Sequence, residues 1–289
     1  MPELPEIETV RLGLQKYLVG QRIQQLETQH PKSVCGNPTL IQDKKIISID
    51  RKGKLLIINL TGKIDIAIHF KMSGQLILVR SNKRAVKSRV VGGHPTIDWV
   101  GTLPSNHTRA IFYLDSGDKL FFNDQRIFGW VRIFEEGALE KLPFIKNLGP
   151  EPWDIDDEHF VKLLAKRKKA IKLVLMDQEI ISGVGNIYAN DALWEAKIHP
   201  RREAKSLRQE DCKTLRKAII KVLKEGIKYG GATASDAKYI DLDGLGGHYQ
   251  DHFRVYDREG KKCLRGDGGI IAKTTLGGRG TYFCPVCQS

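Results

Sequence analysis

The hydrophobic pattern of the chain changes its period near the middle, and this change limits the folds that the sequence can adopt. Up to residue 134, short β-branched or aromatic segments alternate with turns that contain Gly, Asp, Asn or Ser. Beyond residue 153, apolar residues recur three and four positions apart, which is the spacing of an amphipathic helix. The stretch 135–153 has the Gly and Pro content of a linker. In a chain of 289 residues, this pattern predicts two domains with separate cores and an α+β fold.

The first part of the chain predicts a helix followed by an antiparallel sandwich. Residues 5–18 carry Ile7, Val10, Leu14 and Leu18 at helical spacing. The segments with strand composition after this helix are 46–50, 54–60, 64–70, 75–79, 110–114, 119–122 and 130–134. The sequence therefore predicts one β-sandwich domain with a leading helix, which we place at 1–134.

Beyond the linker the chain is predicted to be helical and to end in a small strand-rich unit. Helical periodicity covers residues 157–166, 168–177, 186–196 and 207–229. Residues 230–252 follow, and their glycines are typical of a loop. We place the helical domain at 154–252 and the strand-rich unit at 253–289, around three clustered cysteines.

The charge balance indicates a polyanionic partner. Lys and Arg total 47 against 34 acidic residues, which gives a net charge of +13 and a pI of about 9.5. Nucleic acid is a better partner than a membrane, because the sequence has no run of about 18 apolar residues that could span a bilayer. The N-terminus lacks the pattern of a secretory signal, and five cysteines, an odd number, fit a reducing compartment. We therefore expect a cytoplasmic protein.

The first residues combine a secondary amine with two carboxylates. Removal of Met1 would leave a free amine at Pro2, beside Glu3 and Glu6. A secondary amine can attack an aldehyde-like carbon and form an iminium, which withdraws electrons as a lysine Schiff base does. A neighbouring carboxylate can hold the proton that such catalysis needs. The pattern indicates covalent chemistry at the terminus, and the alternative is a solvated terminus without a role.

Six motifs, taken together, resemble the formamidopyrimidine-DNA glycosylase family of bifunctional repair enzymes. They are Pro2-Glu3-Leu4-Pro5-Glu6, Arg51-Lys52-Gly53-Lys54, His69-Phe70-Lys71-Met72-Ser73-Gly74, Asn123-Asp124-Gln125-Arg126-Ile127-Phe128-Gly129, Gly183-Val184-Gly185-Asn186-Ile187-Tyr188, and Gly278-Arg279-Gly280-Thr281 followed by Cys284-Pro285-Val286-Cys287-Gln288. Each motif alone is weakly specific, but together they run nearly end to end in the family order. The resemblance implies a β-sandwich with a leading helix, a helix-two-turn-helix domain and a zinc-finger-like β-hairpin.

The resemblance also implies a reaction and its catalytic residues. Such an enzyme removes oxidised purines, 8-oxoguanine and formamidopyrimidines, and then cuts the strand at the abasic site by β,δ-elimination. By resemblance, Pro2 would attack the C1′ carbon and form a Schiff base, and Glu3 would transfer protons to the sugar and the leaving base. Lys54 and Arg279 would serve the eliminations and bind phosphates. Glu6 lies one helical turn from Glu3, which favours a role in orienting the terminus.

A set of DNA contacts follows from the same resemblance. Met72, Arg126 and Phe128 match the side chains that fill the gap left when the nucleotide rotates out of the duplex. The other residues implied to touch DNA are His69, His107, Arg167, Lys172, Asn186 and Tyr256. Asn186 would be a phosphate ligand at a helix start, with Lys172 as its partner. Ile127 stands where the family often has a second arginine, which removes one possible contact.

Residues 230–247 correspond to the loop that folds over the extruded base in this family. Thr233, Ser235 and Tyr239 are candidate contacts to the base edge. A disordered linker would have the same composition, so the sequence does not assign these contacts.

The C-terminal unit departs from the family pattern, which has two Cys-x-x-Cys pairs around one zinc ion. Cys263 lacks the second Cys of its pair, and counting back from Arg279 puts Asp267 in that position. One interpretation is a structural zinc site of three thiolates and a carboxylate, formed by Cys263, Asp267, Cys284 and Cys287. The other interpretation is a hairpin that stands by packing alone. His248 and His252 are outside candidates for the metal.

Three functional alternatives remain open. A non-catalytic protein could have kept the DNA clamp and lost the chemistry, and a pyrimidine-preferring relative would share the fold. Such relatives typically have Gly where this chain has Leu4, which favours oxidised purines. A zinc-ribbon RNA-binding protein would explain the charge and the cysteines but gives no role to Pro2 and Glu3. The leading hypothesis is a monomeric base-excision-repair enzyme that acts on double-stranded DNA containing oxidised bases or abasic sites.

Overall fold

A computed structural model describes residues 1–81, 89–93, 102–232 and 247–289, with the backbone alone for 89–93. The chain divides into two compact units, and neither is continuous in sequence. The units are Met1–Lys146 with Tyr229–His248, and Asn147–Lys228 with Tyr249–Ser289. The candidate base contacts Thr233, Ser235 and Tyr239 lie outside the described residues.

The first unit consists of one long helix and a large sheet. Helix α1 spans Leu4–Leu18, and the short helix α2 spans Pro143–Lys146. The strands are β1 (Arg22–Thr28), β2 (Val34–Cys35), β3 (Lys44–Lys52), β4 (Leu55–Leu60), β5 (Ile64–His69), β6 (Gly74–Val79), β7 (Arg89–Gly93), β8 (Thr108–Leu114), β9 (Lys119–Asp124) and β10 (Trp130–Glu135). Short 3-10 turns cover Pro31–Ser33 and Pro38–Ile41.

The ten described strands form one sheet that folds into two packed layers. Their order is β2-β10-β5-β4-β3-β1-β8-β9-β6-β7. The two halves meet at a short antiparallel pairing of β1 with β3, where Arg22 faces Lys45. Side chains of both halves enter one hydrophobic core, which includes Ile58 and Ile68 from one half and Phe112 from the other. The β-sandwich predicted from the sequence is therefore confirmed.

Helix α1 packs its apolar stripe into this core. Ile7, Val10, Leu14 and Leu18 are each at most 1% exposed. The helix begins at Leu4, one residue before the predicted 5–18, because Glu3 is its N-cap residue and a proline follows in the first turn. Burial of the four aliphatic side chains, at roughly 1.5–3 kcal/mol each, is the main stabilisation of α1. The N-terminal residues are thereby held against the sandwich.

The predicted strand segments are found in the sheet, but the sequence did not predict β1, β2 or β7. The longest of these three is β1. Ile23 and Leu26 are three residues apart, so this strand shows no alternation of period two. A bulge between Ile23 and Gln25 shifts the register and brings both apolar side chains into the core. A bulge of this kind leaves no signal in a pattern search based on strict alternation.

The second unit is helical and carries a two-stranded hairpin. Its elements are α3 (Asp157–Ala165), α4 (Ile171–Met176), α5 (Asn186–Glu195), α6 (Gln209–Lys228), β11 (Ala272–Leu276) and β12 (Arg279–Phe283), with 3-10 turns at Ala204–Ser206 and Tyr249–His252. The predicted helices are confirmed, although α4 begins three residues later than predicted because Ala170 forms an extended bridge with Glu203. In the part of the chain that the structure describes, no helix combines the length and the apolar character needed to cross a bilayer.

Helix α5 anchors the segment that precedes the hairpin. The Asp191 carboxylate is fully buried and accepts backbone N–H bonds from residues 254–256 at 3.0 to 3.2 Å. The Arg254 guanidinium pairs with Glu195 at 3.0 Å and with Glu225 at 2.6 Å. Burial raises the pKa of Asp191, while the three N–H donors favour its ionised form. Removing this carboxylate would leave the three buried N–H groups without an acceptor.

Candidate functional site

The N-terminal candidates of the first unit are buried and joined by one carboxylate. Pro2 is buried, and Glu3 and Glu6 are each 3% exposed. One Glu6 oxygen accepts the backbone N–H of Glu3 at 2.8 Å, and the other accepts the backbone N–H of Ala232 at 2.8 Å. The first of these N–H groups belongs to the peptide bond between Pro2 and Glu3. Glu6 therefore fixes the orientation of that peptide bond and ties it to residue 232.

Lys54 immediately precedes β4, in a turn that is held by an ion-pair network. The Lys54 side chain is 5% exposed. Arg51 donates to Glu8 of α1 at 2.9 Å and to the carbonyl oxygen of Gly53 at 3.0 Å. Gly53 adopts a φ of 58°, which glycine tolerates without strain. Sequence reasoning missed the roles of Arg51 and Glu8, although both lie inside or beside motifs that it singled out.

His69 is held as a neutral ring. It is 6% exposed and lies between Trp130 and Phe144, with ring centroids 5.7 and 5.8 Å away. Its Nδ1 accepts the backbone N–H of Lys71 at 3.0 Å, so the proton of the neutral imidazole is on Nε2. Burial, followed by the charges of Lys71 and Lys54, lowers the pKa of His69 to about 3. The ring can therefore donate one hydrogen bond without adding a charge.

The predicted wedge residues have exposed side chains. Met72 is 39% exposed and Phe128 is 55% exposed, so both present apolar surface that a ligand could bury. Arg126 is exposed too, and its guanidinium lies 4.9 Å from the centre of the Phe128 ring. Met72 lies in the turn before β6, and the other two lie in the turn after β9.

The buried Asp124 carboxylate shapes the turn that carries Arg126 and Phe128. Its Oδ1 accepts the Ser73 hydroxyl at 2.5 Å and the Arg126 N–H at 3.3 Å. Its Oδ2 accepts the Gly129 N–H at 2.6 Å. The backbone carbonyl oxygen of Asp124 accepts a hydrogen bond from Arg109 Nε at 2.8 Å. Sequence reasoning missed this role, because a carboxylate that bonds to backbone groups leaves no periodic signal.

Two further residues belong to the region around Asp124: His107 and Ile127. His107 is half-buried, and its carbonyl oxygen accepts the Asp124 N–H at 2.8 Å. Ile127 has a φ of 56° and is 39% exposed. A β-branched residue in this left-handed region is strained, at a cost of roughly 1–2 kcal/mol. The bonds to Asp124 on both sides of Ile127 keep the turn in this conformation.

In the second unit, two candidates lie at helix boundaries. Arg167 is exposed in the turn after α3. Asn186 is the first residue of α5 and follows the N-cap residue Gly185. Its side-chain oxygen is buried and has no hydrogen-bond partner among the residues that the structure describes. A helix N-terminus and an amide side chain are both suited to phosphate oxygens.

Lys172 is fully buried and bonds to the hairpin. Its ammonium group donates to the carbonyl oxygen of Gly280 at 2.8 Å and to the Thr281 hydroxyl at 2.7 Å. Arg279, immediately before them, is exposed at the start of β12. Tyr256 is half-buried, and the centre of its ring lies 5.2 Å from that of Tyr282 in β12. Lys172 therefore contacts the backbone that presents Arg279.

The C-terminal cluster can accept a metal ion. The ligand atoms of its four members lie within 4.8 Å of one another: Cys263, Asp267, Cys284 and Cys287. Asp267 Oδ2 is 3.2 Å from the Cys263 sulfur, while its Oδ1 accepts the Gly269 N–H at 2.8 Å. The indole N–H of Trp194 points at the Cys263 sulfur from 3.4 Å. Three thiols and one oriented carboxylate form a closed donor set that suits zinc, and neither His248 nor His252 belongs to it.

Comparisons with known proteins agree on one family. Residues 1–131 match the formamidopyrimidine-DNA glycosylase N-terminal domain, and residues 148–238 match the formamidopyrimidine-DNA glycosylase H2TH domain. The formamidopyrimidine-DNA glycosylase of Pelotomaculum thermopropionicum is 41% identical over 100% of this chain and 99% of its own length. That of Thermus thermophilus is 35% identical over 100% of this chain and 98% of its own length.

Solved structures give the same result. The Lactococcus lactis Fpg in complex with DNA that contains an abasic site is similar with a TM-score of 0.83, 34% identity and full coverage of both chains. The Thermus thermophilus MutM (Fpg) protein is similar with a TM-score of 0.84 and 35% identity, over 99% of this chain and 98% of the other. The fold class predicted from the sequence is the one these proteins share.

Proposed function

Because this chain belongs to the formamidopyrimidine-DNA glycosylase family and is a base-excision-repair enzyme, we propose that Pro2 is the nucleophile of its DNA glycosylase and AP-lyase reactions. The observation that carries this proposal is the buried arrangement of Pro2, Glu3 and Glu6. Glu6 holds the peptide bond after Pro2 through an N–H bond of 2.8 Å. A nucleophile on a fixed backbone loses less entropy on reaching the attack geometry than one on a frayed terminus.

The reaction proceeds through a Schiff base. After removal of Met1, the lone pair of the Pro2 nitrogen attacks C1′, and the bond from C1′ to the damaged base breaks as the base takes up a proton. Opening of the sugar ring gives an iminium between Pro2 and C1′. Loss of a C2′ proton then expels the 3′ phosphate, and a second elimination expels the 5′ phosphate. Glu3 is the carboxylate beside Pro2 and supplies and removes these protons.

Lys54 and His69 bind phosphate near the reacting sugar in this proposal. Lys54 is almost fully buried, and a buried ammonium group strongly favours an anionic ligand. His69 offers its Nε2 proton, because Nδ1 already accepts the N–H of Lys71. A neutral His69 can orient the phosphate through one hydrogen bond and places no further positive charge beside the iminium.

Met72, Arg126 and Phe128 fill the gap left by the rotated nucleotide. Unstacking a base costs a few kcal/mol, and side chains that enter the stack offset part of this cost. Two of the three are large apolar side chains that are 39% and 55% exposed. Burial of these surfaces between bases would provide the compensating free energy.

The second unit contributes phosphate and hairpin contacts. We assign phosphate binding to Arg167, Asn186 and, in the hairpin, Arg279. Lys172 supports the hairpin through its bonds to Gly280 and Thr281, and Tyr256 packs near Tyr282. The buried, unpartnered Asn186 oxygen at a helix start supports a change of partner when DNA binds. In the first unit, His107 is the remaining assigned DNA contact. Action as a monomer on duplex DNA stays a prediction, which light scattering of the complex would check.

A zinc ion held by the three thiolates and Asp267 would stabilise the hairpin unit. The support is the donor set itself: Asp267 Oδ1 accepts the Gly269 N–H, and Oδ2 faces the sulfurs of Cys263 and Cys284. When bound, the ion would cross-link the two chain segments on either side of the hairpin and leave no open coordination position for catalysis. The Asp267 carboxylate replaces one thiolate, so the total ligand charge is unchanged.

Oxidised purines are the proposed substrates, with 8-oxoguanine and formamidopyrimidines as the main lesions. The relatives named above are formamidopyrimidine-DNA glycosylases. Leu4 supports the same choice over a pyrimidine preference. Parallel assays with duplexes containing 8-oxoguanine or an oxidised thymine would decide between them, and faster release of the thymine lesion would overturn the assignment.

Borohydride trapping tests the nucleophile. Reduction of the enzyme with an 8-oxoguanine duplex should give a covalent adduct, and peptide mapping should place it on the Pro2 nitrogen. The matched control is the same protein with a residue retained before Pro2, which converts this nitrogen into an amide and should abolish the adduct. An adduct on Lys54, or an undiminished adduct in the blocked protein, would overturn the proposal. Intact-mass measurement of the active enzyme should show that Met1 is absent.

A further inference from the structure

A buried carboxylate connects the two turns that carry the wedge. The turn before β6 contains Ser73, whose hydroxyl donates to Asp124 Oδ1 at 2.5 Å. The turn after β9 contains Arg126 and Gly129, whose backbone N–H groups donate to the same carboxylate at 3.3 and 2.6 Å. The Arg126 N–H also lies 3.1 Å from the Ser73 oxygen. Asp124 has no exposed surface, so its bonds are protected from water.

The sheet brings these turns together at one edge. Strand β6 begins at Gly74 and β9 ends at Asp124, and these two residues face each other in the antiparallel ladder. The residue that precedes Ser73 is Met72, and the residue that precedes Gly129 is Phe128. Each wedge side chain is therefore adjacent in sequence to a group that bonds to Asp124.

We propose that Ser73 and Asp124 are positioning residues that make Met72 and Phe128 act as one unit when the damaged nucleotide is rotated out of the duplex. This inference rests on the proposed function, because it assigns a role within nucleotide rotation. Two separately mobile side chains would each lose conformational entropy on entering the base stack. A shared buried anchor lowers this loss by fixing both turns before DNA binds.

The conformation of the second turn supports such an anchor. Ile127 is held at a φ of 56°, where a β-branched residue is strained. Gly129 has no room for a side chain, since a Cβ atom there would lie 2.9 Å from Phe122 and 3.1 Å from Asp124 Oδ2. The carboxylate bonds on both sides of Ile127 hold the turn against this strain. Without them the turn is expected to relax and to move Phe128.

Ser73→Ala is the sharpest test, because it removes the link between the turns and leaves Asp124 with its two backbone donors. The matched control is Ser81→Ala. The Ser81 hydroxyl donates to Asp118 at 3.1 Å at the other end of the same two strands, where Val79 faces Lys119. Both variants remove a serine hydroxyl that bonds to an aspartate of the sheet. Because Ser81 is exposed and Ser73 is only 8% exposed, the melting temperature of each variant is measured beside its rates, which separates a loss of stability from a loss of positioning.

The readout is base-pair opening measured separately from the lyase chemistry. A 2-aminopurine beside an 8-oxoguanine reports unstacking in the duplex, and borohydride trapping on single-stranded abasic DNA reports the chemistry alone. We expect Ser73→Ala to slow unstacking and duplex trapping about tenfold, equivalent to about 1.4 kcal/mol. Trapping on single-stranded abasic DNA should stay within about twofold of the wild-type rate, and Ser81→Ala should leave both rates unchanged.

A double-mutant cycle with Met72→Ala and Phe128→Ala tests the coupling directly. The reductions in duplex trapping rate caused by Met72→Ala and Phe128→Ala, expressed as free energies, should be non-additive in the wild-type background and additive when Ser73→Ala is present. Equal coupling in both backgrounds, or a Ser73→Ala variant that loses thermal stability but keeps its duplex rate, would overturn the inference. A wild-type protein that gives no adduct with single-stranded abasic DNA would instead contradict the proposed function, so the two failures are distinguishable.

Discussion

Glu6→Gln is the substitution with the clearest expected cost. Both carboxylate oxygens of Glu6 accept backbone N–H bonds of 2.8 Å, from Glu3 and from Ala232, and the side chain is 3% exposed. A glutamine has the same shape but offers one acceptor oxygen and one N–H₂ group. Whichever way the amide turns, one buried backbone N–H then faces another donor and has no acceptor.

The magnitude follows from the two bonds. A buried donor without an acceptor costs ~1–3 kcal/mol, and the remaining bond falls from a charge-assisted to a neutral one, which loses about 1 kcal/mol more. The sum is about 3 kcal/mol of stability for the first unit. At about 2–4 °C per kcal/mol for units of this size, the melting temperature of its transition should fall by roughly 6–12 °C.

The catalytic effect should accompany the loss of stability. Release of the peptide bond between Pro2 and Glu3 moves the nucleophile, and a displacement of about 1 Å can cost on the order of 100-fold in rate. We expect borohydride trapping to slow about 10- to 100-fold at a temperature where the variant is folded. Scanning calorimetry and single-turnover trapping are the assays.

The matched control is Glu27→Gln in the same unit. Glu27 is half-buried and accepts the Tyr113 hydroxyl at 2.6 Å, a bond that the amide oxygen of glutamine can keep. Its stability should change by less than about 0.5 kcal/mol. A Glu6→Gln protein that melts within about 1 °C of the wild type and traps DNA at the same rate would refute the role given to this carboxylate.

Three further outcomes are expected. Burial lowers the pKa of His69 to about 3 from an ordinary value of 6.5, so between these values the unfolded chain binds a proton that the folded ring does not, and the free energy of unfolding falls with falling pH. In His69→Asn, the urea midpoint should therefore fall less steeply between pH 6.5 and pH 3 than in the wild type. An unchanged slope of midpoint against pH would contradict this. Asp267→Ala should lower bound zinc in atomic absorption and Asp267→Cys should retain it, whereas full zinc in the alanine variant would exclude Asp267 as a ligand. Lys172→Met should reduce the δ-elimination product on gels, and its effect should vanish in an Arg279→Ala background; additive losses would indicate a separate contact.

Regular patterns made the larger part of the fold predictable. The stripe from Ile7 to Leu18 identified α1, and alternation with turn residues identified the predicted strands, because both signals come from contact with one core. Three members of the metal cluster were predicted from the clustering of the cysteines, and Asp267 was predicted from the family pattern; the structure brings all four together. The bulged strand β1 was not predicted, because its buried residues Ile23 and Leu26 are three positions apart and do not follow the period of two of a regular strand.

Positioning residues could not be predicted in the same way. Glu6 and Ala232 are 226 positions apart, and a bond to a backbone N–H requires no particular residue type at the donor. Asp124 and Ser73 appeared only as members of motifs, since their bonds to each other depend on the pairing of β6 with β9. Lys172 was expected beside Asn186 as a partner in phosphate binding, and its burial against the hairpin depends on contacts more than 100 positions away in the chain.

The anchor on α5 has a consequence for the order in which the protein matures. Asn190 and Asp191, adjacent in this helix, together accept four backbone N–H groups from residues 254, 255, 256 and 282. During synthesis, α5 leaves the ribosome long before these donors exist, so its buried carboxylate must wait for the last part of the chain. A premature stop after α6 should therefore yield a species that chaperones or proteases engage, and not an independently stable helical fragment.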